Sequence, residues 1–110
     1  MDARRNKRFI VSIEAELISQ NIRIASSIEN LSEEGVYVIT ASSKSVADFP
    51  PDTFLELKFQ LPSGNEQCLN CKVKWSYKTP PHGLTNSIGM EIIDPPLSYK
   101  ESLKTLMPVK

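Results

Sequence analysis

The chain has 110 residues, with thirteen Lys and Arg against thirteen Asp and Glu, a formal net charge of zero. That length suits one domain, burying roughly two-thirds of its extended surface, and 40% hydrophobic with 24% charged residues excludes a disordered chain. The neutral balance excludes the broad basic footprint of a long-nucleic-acid binder, and no apolar run approaches the ~20 residues of a membrane helix.

From Phe9 to Leu17 the apolar residues Phe9, Val11, Ile13, Ala15 and Leu17 alternate with polar ones, a strand with one buried face. Ser12, Glu14 and Glu16 also break the apolar stretch behind the basic N-terminus, so it is not a signal peptide. Ile22, Ile24 and Ile28 predict a second strand, and Val36-Tyr37-Val38-Ile39 after Gly35 a third. Residues 41–52 read as surface loop, with Ser42, Ser43 and Lys44 in it. Leu55, Leu57, Phe59 and Leu61 alternate with Glu56, Lys58 and Gln60, and a Pro62-Ser63-Gly64-Asn65 turn follows. Leu69, Cys71, Val73, Trp75 and Tyr77 alternate beyond it, so the fourth and fifth strands predict a hairpin. Ser87 to Ile93 is the sixth strand, reached through Pro80-Pro81-His82-Gly83. After Asp94-Pro95-Pro96 the period changes: Ser98 and Glu101 fit a capping box, and Tyr99, Leu103 and Leu106 share a helical face. The expected fold is all-β, a small six-stranded antiparallel barrel with one C-terminal helix over residues 9–110.

Catalytic chemistry finds little support. The lone histidine, His82, sits in a Pro/Gly loop and is read as exposed. Glu14 and Glu16 lie on a polar strand face, where solvation explains them. Cys68 and Cys71 form a CxxC, yet residues three apart on a strand point to opposite faces roughly 10 Å apart, too far for a disulfide. A structural zinc needs four ligands, and there is no second pair. Cys71 falls on the apolar face and reads as core. With two cysteines and no disulfide framework, a cytoplasmic setting is expected. Neither a metal, a cofactor nor an enzymatic activity is expected.

Two features remain. Arg4-Arg5-Asn6-Lys7-Arg8 and Asp2 give the first eight residues a charge of +3 and leave −3 in the other 102. Taken alone this reads as a solubilising terminus. Asn30-Leu31-Ser32-Glu33-Glu34-Gly35 reads as a connecting turn, with Gly35 expected to supply a positive φ.

Together these features are specific. An RxxxR (Arg4, Arg8) ahead of the first strand, followed by NxSxxG (Asn30, Ser32, Gly35), resembles the PilZ domain family. Val73-Lys74-Trp75 is similar to that family's Val-x-Trp strand, and Ser87-Ile88-Gly89-Met90-Glu91-Ile92 to its Gly-x-x-hydrophobic strand. The likeness covers essentially the whole chain. It implies a non-catalytic receptor for the bacterial second messenger cyclic di-GMP, a stand-alone member whose residues 1–8 act as a basic ligand latch ordered over the barrel by the ligand. The chemistry agrees. Arginine pairs with phosphate through two parallel hydrogen bonds, grips the Hoogsteen edge of guanine, or lies flat on a base. Arg4 and Arg8, if extended, project to one side roughly 13 Å apart, and Arg5 is an auxiliary contact by resemblance. Asn30 exchanges hydrogen bonds with a guanine edge, and Ser32 donates to phosphate or base. The family often has Asp at position 30, and an amide accepts with one oxygen where a carboxylate offers two. A Cβ at Gly35 would strain the turn or occupy ligand space. Trp75 stays open between a place beside the ligand and the core, because it shares parity with Val73 and Cys71.

The signal of a single-domain receptor passes to a separate effector protein, which resemblance places among motility, adhesion or exopolysaccharide systems. Two alternatives stand beside this reading. One is a PilZ-like adaptor that binds proteins and no nucleotide. The other is a small barrel for single-stranded nucleic acid, which wants exposed aromatics interleaved with basic residues; here Phe59, Trp75 and Tyr77 are expected on apolar faces.

Overall fold

The computed structural model describes residues 8–20, 22–41, 49–62, 64–78 and 85–104. Alternation builds six strands in chain order: β1 (Phe9–Ser19), β2 (Ile22–Leu31), β3 (Gly35–Ala41), β4 (Phe54–Gln60), β5 (Glu66–Lys78) and β6 (Thr85–Ile93). In β4 the pattern is cleanest, with Leu55, Leu57 and Phe59 buried and the residues between them exposed. The strands pair antiparallel in the order β1-β2-β3-β6-β5-β4, and β4 returns to β1 (Ala15 opposite Phe59, Leu17 opposite Leu57). Where β1 meets β4, over Ala15–Ile18, closure pairs the two edges that an open six-stranded sheet would present. As expected, β4 and β5 form a hairpin, its turn held by Gly64 N–H to Leu61 O and Leu61 N–H to Asn65 O, both 2.8 Å. Gly64 sits at φ 99°, a backbone region that glycine adopts without a Cβ penalty.

The barrel interior holds Leu17, Ile28, Leu31, Val38, Leu57, Leu69, Cys71, Val73 and Ile88, all essentially inaccessible to solvent. Helix α1 (Leu97–Leu103) adds Tyr99 and Leu103 to this core. The Tyr99 ring meets Phe59 edge-on at 6.5 Å. Leu106, His82 and the Ser42–Lys44 loop lie outside the described residues. No described helix is long and apolar enough to cross a membrane.

The ladder is interrupted at three places. Register shifts fall between Ile10 and Ile13 in the β1–β2 pair, between Ile28 and Asn30 in β2–β3, and between Val73 and Trp75 in β5–β6. A β-bulge inserts an extra residue, bends its strand and re-aims the side chains beyond it. The third shift overturns the expected parity of β5. Val73 stays in the core, but Trp75 and Tyr77 turn outward and are 42% and 52% exposed, because Lys74 is the extra residue. Phe59, by contrast, is buried as expected.

Two local expectations also fail. The helix begins at Leu97 with Pro96 as its N-cap and no side-chain cap bond, so Ser98 and Glu101 make no capping box. Pro96 at φ −65° and ψ 150° already ends the extended segment, and Ser98 is carried into the first turn. Ile22, at the start of β2, is 53% exposed because it pairs with Ser19 at the hairpin end, beyond the reach of the core.

Candidate functional site

The Asn30–Gly35 segment turns β2 into β3 through a compact hydrogen-bonded knot. The Ser32 hydroxyl accepts from the Gly35 N–H at 3.0 Å and donates to the Gly35 carbonyl at 3.2 Å, and the Ser32 N–H donates to the same carbonyl at 2.9 Å. Ser and Asn commonly satisfy nearby backbone in this way. From below, the Tyr99 hydroxyl donates to the Ser32 carbonyl at 2.6 Å, which pins the turn to the helix. Burial first, then Cys71 and Glu33, hold the Tyr99 phenol well above its ordinary range, so it remains a donor. Gly35 is not among the described residues with positive φ, which corrects the expectation for it. A Cβ there would meet Met90 O at 3.4 Å and Ser32 Oγ at 3.6 Å, so the protein itself barely resists one. What a side chain at position 35 would occupy is the cleft it lines.

That cleft has a volume of about 420 Å³ and runs over the outer face of β3, β6 and β5. Arg8, Ser32, Gly35 and Trp75 line it together with Tyr37, Lys74, Gly89 and Glu91. Asn30 stands at its rim, where it accepts a hydrogen bond from Arg8 Nη1 at 2.6 Å. Twenty-two positions apart in the chain, the second arginine of RxxxR and the first residue of NxSxxG are thus in direct contact. The β1–β2 and β2–β3 shifts both fall beside Asn30 and the β5 bulge beside Trp75, so all three breaks in the ladder border this site.

The floor is aromatic. Trp75 packs over Gly89, where an added Cβ would fall against ring atoms Cε2, Cζ2 and Nε1. Tyr37 contacts the indole at 5.6 Å between centroids, tilted by 46°, and Tyr77 stacks on it at 5.3 Å and 18°. Tyr37 is itself fixed by its hydroxyl bond to Ser87 Oγ at 3.2 Å. This covering explains why β6 is buried from Asn86 through Met90 instead of alternating. Charge in the cleft comes from Arg8 and Lys74 on one side and Glu34 and Glu91 on the other, with Lys74 Nζ 3.9 Å from Glu91. Guanidinium, ammonium, hydroxyl and flat aromatic surface together suit a ligand with an anionic group and a planar ring.

Of the residues anticipated from sequence, Arg8, Asn30, Ser32, Gly35 and Trp75 converge here. Arg4 and Arg5 lie outside the described residues. Tyr37, Lys74 and Glu91 were not anticipated as site residues. The Val36–Ile39 run reads only as a strand, with nothing to set Tyr37 apart, and nothing in the Lys-rich β5 pattern marks a bulge. Elsewhere, Cys68 is exposed and Cys71 buried, both free, as their strand spacing implies. A larger groove of about 860 Å³ across Glu14, Glu16, Thr40 and Lys58 contains none of the motif residues. No group of three metal-ligating side chains occurs among the described residues.

The molecule is thus a closed antiparallel barrel with one packed helix and, beside its β2–β3 turn, a cleft lined by two cations and an indole. Its sequence matches the PilZ domain model over residues 2–107, and the chain belongs to the PilZ domain family. Among solved structures it is similar to the Bacillus subtilis inhibitor of motility (MotI/DgrA), with a TM-score of 0.79 at 14% identity, covering 96% of this chain and 50% of that one. The chain thus spans about half the length of that protein. It is also similar to the PilZ domain with c-di-GMP of YcgR from Escherichia coli, with a TM-score of 0.71 at 10% identity over 94% of this chain and 87% of that one. No curated protein matches the sequence.

Proposed function

We propose that this barrel is a non-catalytic, cytoplasmic receptor for cyclic di-GMP that relays the signal to a separate protein. The observation that carries the reading is the 2.6 Å bond from Arg8 to Asn30, which joins the two motifs at the rim of a cleft floored by Trp75. Arg8 spends one of its five N–H donors on Asn30 and keeps the others for a phosphate or for the Hoogsteen edge of guanine. Ser32 is locked in its turn, and its hydroxyl reaches the ligand by redirecting the proton it gives to the Gly35 carbonyl. Gly35 leaves room for the ligand, and the indole of Trp75 offers a stacking face. Arg4 and Arg5 join from the basic segment on the strength of the motif alone. Family membership supports the ligand class, as does the similarity to a PilZ domain carrying c-di-GMP.

Calorimetry with cyclic di-GMP tests the reading. The wild type is expected to bind at tens of micromolar or below. Loss of one charge-assisted contact in Arg8→Ala, or of the hydroxyl in Ser32→Ala, is expected to weaken binding about tenfold or more. No heat from a folded wild type overturns the receptor reading, and normal binding by both variants overturns the site. The likeness to an inhibitor of motility supports a protein-binding output, and with it the second reading of an adaptor; that this adaptor binds no nucleotide is the part the same titration decides. A folded wild type silent toward cyclic di-GMP would favour that alternative.

A further inference from the structure

Lys74 belongs to neither motif, yet it is the residue that the β5 bulge inserts. On a regular strand Lys74 and Trp75 would face opposite ways. The bulge instead sets an ammonium and an indole side by side on the outer surface, both lining the cleft that Arg8 and Ser32 enter from just ahead of β1 and from the β2–β3 turn. Arg8 and Lys74 are the two cations lining the cleft among the described residues. Arg8 is already engaged by Asn30, whereas Lys74 is held only loosely: its Nζ stands 3.9 Å from Glu91, and both side chains are about half exposed. Such a pair is long and strongly screened by water.

We propose that Lys74 is a ligand-contacting cation of this site, parked on Glu91 in the free protein and transferred to a phosphate oxygen of the bound ligand. The inference rests on the cyclic di-GMP reading and adds to it a contact outside both motifs. A phosphate in the cleft offers Lys74 a better partner than Glu91 does, because its oxygens converge on Arg8 and Lys74 together and part of the surrounding water is displaced. Glu91 then acts against binding twice. It competes for Lys74, and it places a negative charge at the wall of a site that must accept a dianion.

The test is calorimetric titration of cyclic di-GMP into the wild type, Lys74→Met, Lys74→Arg and Glu91→Gln, at low and high salt, with thermal melts to show that all four fold alike. Lys74→Met is expected to bind about five- to twentyfold more weakly, with a flatter salt dependence, and Lys74→Arg to bind close to wild type. Glu91→Gln is expected to bind about two- to fivefold more tightly, a gain that loss of a merely structural ion pair would not produce. Wild-type affinity in Lys74→Met overturns the contact while leaving the receptor reading intact. Weaker binding by Glu91→Gln overturns the competition between Glu91 and the ligand. A folded wild type that does not bind overturns the receptor reading and this proposal with it.

Discussion

Replacing Gly89 with alanine tests how the aromatic floor is built. The added Cβ would lie against Trp75 Cε2 and Cζ2 and 2.6 Å from Nε1, where contact between such atoms is comfortable only at about 3.5–4 Å. Something must therefore move by on the order of 1 Å. The Gly89 backbone is held in register on both sides, opposite Tyr37 in β3 and Trp75 in β5, so the ring yields and the strand does not. Overpacking of a closed core costs about 1–3 kcal/mol. Trp75 is 42% exposed and has room to swing outward, which puts the stability loss near ~1 kcal/mol. The effect on ligand is larger: base–aromatic stacking contributes about 1–3 kcal/mol, so cyclic di-GMP affinity is expected to fall by roughly five- to a hundredfold. Trp75 is the sole tryptophan of the chain, so its emission reports on the displacement directly. Gly89→Ala is expected to shift that emission to the red in the free protein and to blunt its response to ligand. Unchanged emission together with unchanged affinity would refute the seating of Trp75 on Gly89. A loss of stability with unchanged emission would show that the strand took the strain.

Tyr99→Phe keeps the ring against Phe59 but removes the donor to the Ser32 carbonyl, and is expected to cost about 1–3 kcal/mol in urea unfolding. Because that bond anchors the motif turn, the same variant is expected to weaken cyclic di-GMP binding although Tyr99 does not line the cleft. The thiols should also differ. Cys68 is expected to react with a thiol reagent in the native protein and Cys71 only after unfolding. Burial, and to a smaller degree Cys68, push the Cys71 thiol up to about 12 from its ordinary 9.0. The unfolded thiol therefore ionises first: this contribution is fully present below pH 9 and is lost as pH rises toward 12, at about 1.4 kcal/mol per pH unit. Tyr99 acts in the same direction at still higher pH. Denaturant midpoints measured from pH 8 upward should fall beyond pH 9 in the wild type and fall less in Cys71→Ala.

Much of the barrel is legible in the chain because burial on one face of a strand writes itself as a period of two. Leu55, Leu57 and Phe59 announce β4, and the spacing of Cys68 and Cys71 already separates one outward from one inward thiol. The motif residues are legible for a different reason: Arg8, Asn30, Ser32 and Gly35 match the order and spacing of two PilZ motifs, and it is that resemblance which marks them. Parity fails where a bulge intervenes. Trp75 reads as a companion of Val73, and an insertion at Lys74 cannot be seen in the alternation, since it is fixed by how β5 meets β6. The exposed, interleaved aromatics and lysines of β5 also remove the ground on which a single-stranded nucleic acid ligand was set aside, although the charge of the cleft stays balanced between Arg8 and Lys74 and Glu34 and Glu91.

The neutral net charge with which the chain presents itself is a property of the sequence alone, as are the basic cluster before β1, the strand periods and the two motifs. These depend on local composition and on side-chain alternation, which need no partner in space. Tertiary structure alone decided that Arg8 reaches Asn30, that Tyr99 props Ser32 from the core, and that Lys74 and Trp75 share one face beside Gly89. Each of these contacts joins residues brought together by the closing of the barrel or by a register shift, and such pairings are set by the packing of whole strands against one another.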